Sequence, residues 1–220
     1  PLVRAQTWWK YMPNWIDYLS RNQYMLQQGE YVADVLWYYG DHFERPPFDL
    51  DYFPKGYRFD YLNEEILQSK LSVKDGKINV KHAGDYRIIL LRDSNEMLLS
   101  TIQKLKELVL QGAVIVGDKP MGSPSLMDDA NDLKMLKSIS DELWGTETVG
   151  VKTVGLGKVY WGQTIDAVLK AESIAPDVEI PEGLPIHWIH RKTADADIYF
   201  VTHYARFQNL GLLCLKQLGC

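Results

Sequence analysis

The chain has 220 residues, 46% hydrophobic and 24% charged, with a net charge of -5. At this length a fold buries roughly 70% of its unfolded surface and needs no disulfide or metal staple. Mild acidity without a basic cluster argues against a nucleic-acid partner, which demands Lys and Arg gathered against phosphates. No run of about 18 apolar residues occurs, so no membrane partner is expected. The two cysteines, Cys214 and Cys220, lie in the C-terminal tail and leave neither a disulfide framework nor a thiolate zinc site. The first residue is Pro1 and no signal-peptide pattern follows it, so coding sequence is expected upstream.

Seventeen of the 26 aromatic residues fall within residues 1–61, which sets this stretch apart from the rest. After Thr7-Trp8-Trp9-Lys10-Tyr11-Met12-Pro13, the apolar spacing of Trp15, Tyr18, Leu19, Met25 and Leu26 predicts an amphipathic helix over 14–28, closed by Gly29. The apolar run from Tyr31 to Gly40 predicts a strand covered on both faces. A proline-bearing loop over 44–56, a short strand at 57–61 and a helix from the Asn63 cap to Leu71 follow. Asp75-Gly76 marks a tight hairpin turn, and residues 86–91 form a second apolar strand. A helix carrying Leu98, Ile102, Leu105 and Val109 stops at Gly112 before the strand 113–117. After a Pro/Gly-rich loop come a helix through Leu133, Leu136, Ile139 and Leu143, a strand at 158–161 and a helix near 164–170.

Strands alternating with crossover helices imply an α/β domain over residues 30–172. Its sheet is open and mostly parallel with helices on both faces, the three-layer arrangement of glutamine amidotransferase-like and flavodoxin-like domains. Residues 173–202 read as a linker and the first strands, 186–190 and 198–202, of an antiparallel β unit. With no continuation those strands form an unpartnered hairpin.

Ligands favour the carboxyl ends of such strands, which makes Asp41, His42, Asp93, Ser94 and Asp118 candidate groups, although strand-end carboxylates also cap helices and fix turns. An amidotransferase nucleophile needs a Cys on a strand-to-helix turn, and none stands there. Gly155-Leu156-Gly157 precedes a strand and lacks the third glycine of a dinucleotide site, so it reads as a turn; a flavodoxin-like redox role likewise lacks a phosphate loop. His187 and His190 point to opposite faces of a strand and cannot share a metal ion. Trp8 and Trp9 suit stacking on the C–H face of a sugar or, alternatively, interdomain packing. No catalytic residue and no metal ligand is assigned.

A family resemblance rests on several blocks in order. They are Gln6-Thr7-Trp8-Trp9, Trp15-Ile16-Asp17-Tyr18-Leu19-Ser20-Arg21, Tyr24 to Gly29, Val32-Ala33-Asp34-Val35, Leu71 to Gly76, Val159-Tyr160-Trp161-Gly162, Trp188-Ile189-His190-Arg191 and Ala194 to Val201. Over residues 5–202 the chain resembles the region that follows the catalytic barrel in glycoside hydrolase family 106, the α-L-rhamnosidases. The resemblance implies an internal fragment of a larger bacterial enzyme, periplasmic or extracellular, that removes terminal α-L-rhamnose with inversion. Residues 1–29 would then be a helical segment ending the preceding catalytic domain, and 203–220 an atypical tail, attributed to truncation or a frameshift. The implied partners are a rhamnose-containing glycan and the preceding barrel. The catalytic carboxylates and the calcium of the family are expected upstream, so no cofactor is assigned here. The expected role is a non-catalytic domain that packs on the barrel and frames the sugar site through Trp8, Trp9, Asp41 and His42, inactive alone. The alternative is a stand-alone non-catalytic α/β interaction or carbohydrate-binding module.

Overall fold

The computed structural model describes residues 4–41, 52–91 and 95–203. They divide into two compact units, the first comprising residues through Val32 and from Gly183 onward, the second running from Ala33 to Glu182. The expectations placed on 42–51, 92–94 and 204–220 lie outside the described residues.

In the first unit a 3-10 turn, Trp9–Tyr11, leads into α1, Met12–Leu26. The helix starts earlier than the apolar spacing predicts because Pro13 sits in its first turn, where a missing N–H costs nothing. The continuous strand expected over 31–40 is in fact two, β1 (Glu30–Tyr31) and β2 (Val35–Tyr38). Pairing changes hands between them: the Val32 N–H donates to the His190 carbonyl, whereas the Asp34 N–H donates to that of Arg58. An apolar run does not reveal such a change of sheet.

The second unit continues with β3 (Phe59–Leu62) and α2 (Glu64–Lys70), whose Asn63 cap accepts from the Ile66 N–H at 3.0 Å. Next, β4 (Leu71–Lys74), β5 (Lys77–Val80) and β6 (Gly84–Tyr86) make a small antiparallel sheet. Its first turn is Asp75-Gly76, both at positive φ (52° and 69°), the twist a two-residue hairpin requires. The expected strand 86–91 also divides, since Tyr86 ends β6 and the main sheet resumes with β7 (Ile88–Leu91).

There follow α3 (Leu99–Leu110), β8 (Val114–Val116), α4 (Ala130–Leu143), β9 (Gly150–Val154), β10 (Gly157–Trp161) and α5 (Ile165–Ala171). The main sheet has the order β3-β2-β7-β8-β10-β9, parallel throughout except for β9. Strand β9 was not anticipated. It is a half-exposed edge strand with polar Lys152 and Thr153, so no apolar run announces it, and Gly155-Leu156 is the hairpin turn that joins it to β10.

One face of the sheet presents Val35, Trp37, Ile88, Leu90, Val116 and Tyr160 to Ile165, Val168 and Leu169 of α5. The alternate residues, Tyr38 among them, point the other way, where the Tyr38 hydroxyl meets Thr101 of α3. The structure is thus a mixed α/β fold built on a mostly parallel six-stranded sheet. In the first unit β11 (Ile186–Lys192) and β12 (Asp197–His203) pair as expected, but the hairpin is not unpartnered: β1 adds a third strand, Glu30 opposite Lys192 and Tyr31 opposite Arg191. His190 is buried and His187 exposed, on opposite faces as the alternation requires.

Behind the sheet, Glu172 at the end of α5 accepts from Lys158 at 2.8 Å and from the Tyr160 hydroxyl. Burial opposes ionisation of Glu172, but these two donors outweigh it and hold its carboxyl below the usual range. Burial, then the Glu172 hydrogen bond, push Tyr160 from 10.0 up to about 12. A raised folded-state value gives stability that is complete below the unfolded value of 10.0 and is lost as pH rises through about 12. Glu172 has the opposite sign, its contribution being present above the ordinary carboxylate value of 4.5 and lost as pH falls through its lower folded value. Melting temperature should therefore fall on both sides of neutrality, and Tyr160→Phe should flatten the limb between pH 10 and 12; an unchanged alkaline limb would remove Tyr160 as its source.

Candidate functional site

Asp41 stands just beyond the carboxyl end of β2, where the sequence placed it, and its contacts are structural. Its Oδ2 accepts from the Leu98 N–H at 2.9 Å, and its Oδ1 from Thr101 Oγ1 at 2.8 Å and from the Tyr38 hydroxyl. Leu98 is the cap position of α3 and has no side-chain acceptor of its own, so Asp41 serves the start of a helix 57 residues away in sequence. Burial, then the Asp41 hydrogen bond, push the Tyr38 hydroxyl well above its usual range and keep it a donor.

A cleft of about 490 Å³ opens at the carboxyl ends of β7, β8 and β10, the position at which open α/β sheets take ligands. Asp118, from the end of β8, lines it together with Gly117, Gly162, Gln163, Thr164 and Tyr52. The two glycines fix its backbone. A Cβ on Gly117 would come within 2.5 Å of the Leu91 Cβ, and one on Gly162, at φ +65°, within 2.3 Å of the Thr148 carbonyl oxygen. Gln163 Nε2 donates to the Gly150 carbonyl at 2.9 Å, and Thr164 Oγ1 caps α5 by accepting from the Ala167 N–H. The Tyr52 ring stacks on Trp37, with centroids 5.6 Å apart and planes 24° apart. Of the cleft's described lining residues, Asp118 is the charged one.

The structure brings Asp118 to this cleft, while Asp41 is not among its lining residues and His42, Asp93 and Ser94 lie outside the described residues. Trp8, exposed, and Trp9, half-buried, belong to the first unit. Sequence reasoning missed Tyr52, Gln163 and Thr164. The available signal was Gly162 between an apolar strand and a Thr-capped helix. In the first unit an open, mainly apolar hollow of about 520 Å³ lies between α1 and β12, lined by Tyr18, Arg21, Met25, Ile198 and Phe200. Among the described residues no group of three His, Cys, Asp or Glu converges as a metal site, and no helix is long and apolar enough to cross a membrane.

Replacing Asp41 strands three donors at once. Asp41→Ala is expected to destabilise the chain by about 2–3 kcal/mol, more than a simple cap, and Asp41→Asn, which keeps an acceptor oxygen, by less. Denaturant unfolding of both variants measures this; equal stability of wild type and Asp41→Ala would show that α3 does not depend on the carboxylate.

Comparison with known proteins places this geometry in a lineage. A putative beta-glucuronidase of Formosa agariphila is 37% identical over 201 residues, 91% of this chain and 16% of that protein. The structure of the rhamnosidase from Novosphingobium sp. PP1Y matches with a TM-score of 0.78 at 29% identity, covering 91% of this chain and 20% of that one. The chain thus spans less than a quarter of either protein. The alpha-L-rhamnosidase model of glycoside hydrolase family 106 matches residues 1–209, continuing past Thr202, where the sequence resemblance ended. A match across nearly the whole chain, joined to the same backbone in a solved rhamnosidase, means that this chain belongs to the α-L-rhamnosidase family, glycoside hydrolase family 106.

Proposed function

We propose that this chain is an internal, non-catalytic α/β module of an α-L-rhamnosidase-like glycoside hydrolase, packed on a catalytic barrel supplied by the rest of the protein. The observation that carries the reading is the family match over residues 1–209 in a chain that covers only 16% and 20% of its two relatives. Hydrolysis of a glycosidic bond uses two carboxyl groups flanking that bond, whereas Asp118 is the one carboxylate among the described lining of the strand-end cleft. Calcium, which the family resemblance implies for the catalytic domain of the parent enzyme, is assigned to no residue of this chain.

The packing role is supported by α1. Trp15 is 51%, Tyr18 40% and Tyr24 65% exposed, a concentration of aromatic surface that a free monomer keeps at a cost in solubility. The rest of the enzyme is its natural cover. Trp8, 42% exposed and just ahead of α1, is suited to frame a sugar at that boundary together with Trp9. The substrate class is a glycan with terminal α-L-rhamnose; the 37% identity to a putative beta-glucuronidase favours, as a second reading, a β-glucuronide.

Two measurements test this. The 220-residue chain should not hydrolyse p-nitrophenyl α-L-rhamnopyranoside or the β-D-glucuronide, while the longer protein should cleave one of them, and turnover by the chain alone would overturn the non-catalytic reading. Trp15→Ala combined with Tyr18→Ala should leave the melting temperature of the isolated chain nearly unchanged yet lower that of the longer protein by several degrees, on the order of 1–2 kcal/mol of lost burial. Equal effects in the two contexts would mean that α1 is not an interface.

A further inference from the structure

Strand β9 closes one end of the main sheet, and the direction of its backbone groups follows from β10. The Lys158 N–H donates to the Ala113 carbonyl and the Gly117 N–H to the Tyr160 carbonyl, so the backbone groups of Lys158 and Tyr160 face β8. Those of Gly157, Val159 and Trp161 therefore face β9, opposite Val154, Lys152 and Gly150. By the same alternation the N–H and C=O of Val151 and Thr153 point away from β10, where β9 has no neighbouring strand among the described residues.

The side chains of this edge are open as well. Val149 is 55% and Val151 51% exposed, and Leu156, in the turn that follows, 81%. The pairing with β10 runs through five consecutive residues without a bulge, and β9 contains no proline. A regular edge of β-branched residues with outward backbone groups is a template for another strand. The template is also rigid. A Cβ on Gly150 would come within 2.3 Å of the Trp161 ring, and one on Gly155 within 2.7 Å of the Leu110 Cα. Gln163 Nε2 holds the Gly150 carbonyl at 2.9 Å. Both ends of β9 are thus pinned, and little freedom is lost when a strand docks.

Lys152 selects the kind of strand. It stands between the two outward-facing residues, the position at which an antiparallel neighbour comes closest, and its Nζ donates to the Asp141 carbonyl at 3.4 Å. The two-fold pairing that engages Val151 and Thr153 in each of two copies sets Lys152 opposite Lys152, and like charges so placed are destabilising. A carboxylate opposite Lys152 is favourable for the same reason. The chain covers 16% and 20% of its two relatives, so in a protein of that length most of the polypeptide lies outside these residues.

We infer that β9 is a docking edge for an extended segment of the parent protein from outside these 220 residues. That segment adds a seventh strand to the six-stranded sheet, with β-branched residues against Val151 and Thr153 and an acidic residue beside Lys152. The inference rests on the reading of this chain as one module of a longer glycosidase, and gives the second unit an attachment point separate from α1.

Hydrogen exchange read by mass spectrometry on peptides spanning residues 148–156 tests this in the 220-residue chain and in the longer protein. In the chain alone the Lys152 and Val154 amides, which face β10, should exchange slowly and those of Val151 and Thr153 fast. In the longer protein the latter two should slow by about a hundredfold, the scale of a closed strand against an open one. Val151→Pro removes an outward donor and no bond to β10, as proline on an edge strand does. It should leave the melting temperature of the chain nearly unchanged and abolish the added protection in the longer protein. Lys152→Glu should reduce that protection and Lys152→Arg keep it; if Val151→Pro unfolds the chain, this pair and the wild-type comparison decide. Equal exchange in the two proteins would overturn the inference. So would protection of Val151 and Thr153 in the chain alone, whether constant, which means an edge closed by the chain itself, or rising with protein concentration, which means a second copy. The two readings fail separately. Fast exchange at β9 in a longer protein that hydrolyses the rhamnoside removes the docking edge and leaves the parent's activity standing. Protection at β9 in a longer protein inert on both glycosides keeps the edge and removes that activity.

Discussion

Strand β2 is the member on which the second unit depends. Four residues, Val35 to Tyr38, are hydrogen-bonded on both edges, to β3 and β7, and buried on both faces. A strand so placed has to make each side chain serve a different layer. Trp37 faces α5 and collects Tyr52, Phe53, Phe59 and Tyr61 around its indole, so one side chain gathers two residues ahead of β3 and two of β3 itself. Tyr38 faces α3, and through Asp41 it ties the strand end to the first turn of that helix. Aromatic pairs contribute roughly 0.5–1.5 kcal/mol each beyond their buried area. The cluster around Trp37 is therefore an organising contact as well as a source of stability, because it also carries Tyr52 to the cleft.

This division of labour explains which parts of the fold were legible in the sequence. Helices α2, α3 and α4 announce themselves through the Asn63 cap and through apolar spacing, with Ile102, Leu105 and Val109 on a buried face of α3 and Leu136, Ile139 and Leu143 on that of α4. The strands β7, β8 and β10 are visible as short apolar runs because both of their faces are covered. The places where the chain leaves one sheet for another, at Ala33 and Arg87, are hidden, since a single charged residue, Asp34 or Arg87, does not end an apolar run that resumes at Val35 and Ile88, and the change lies in the hydrogen-bond partners. Strand β9 stayed hidden for the converse reason. It is an edge strand with alternating exposure, and its pairing with β10 is a tertiary fact.

Candidate site residues divide along the same line. Asp41 and Asp118 were both visible as carboxylates at strand ends, and position alone could not tell them apart. What separates them is placement in the fold: Asp41 is claimed by neighbouring Tyr38 and by Leu98 and Thr101, about sixty residues away, while Asp118 lines the strand-end cleft. Tyr52, Gln163 and Thr164 reach the cleft from a loop and a helix start that no motif marks, and only the folding of β7, β8 and β10 side by side assembles them.

A parallel sheet leaves an opening at its carboxyl end where connections depart to opposite faces, and here α3 and α4 pack on each other while α5, after β10, lies on the face of Trp37. The opening is thus a property of the topology and needs no catalytic purpose to exist. Its lining is not dictated in the same way. Residues at the rim of a purely structural domain are free to be filled by long side chains or closed by apolar packing, whereas here two glycines keep the backbone bare and an aromatic ring lies flat against its neighbour. Topology accounts for the hollow, whereas its lining by Tyr52, Asp118, Gln163 and Thr164 is set by the particular residues that stand at the strand and helix ends around it.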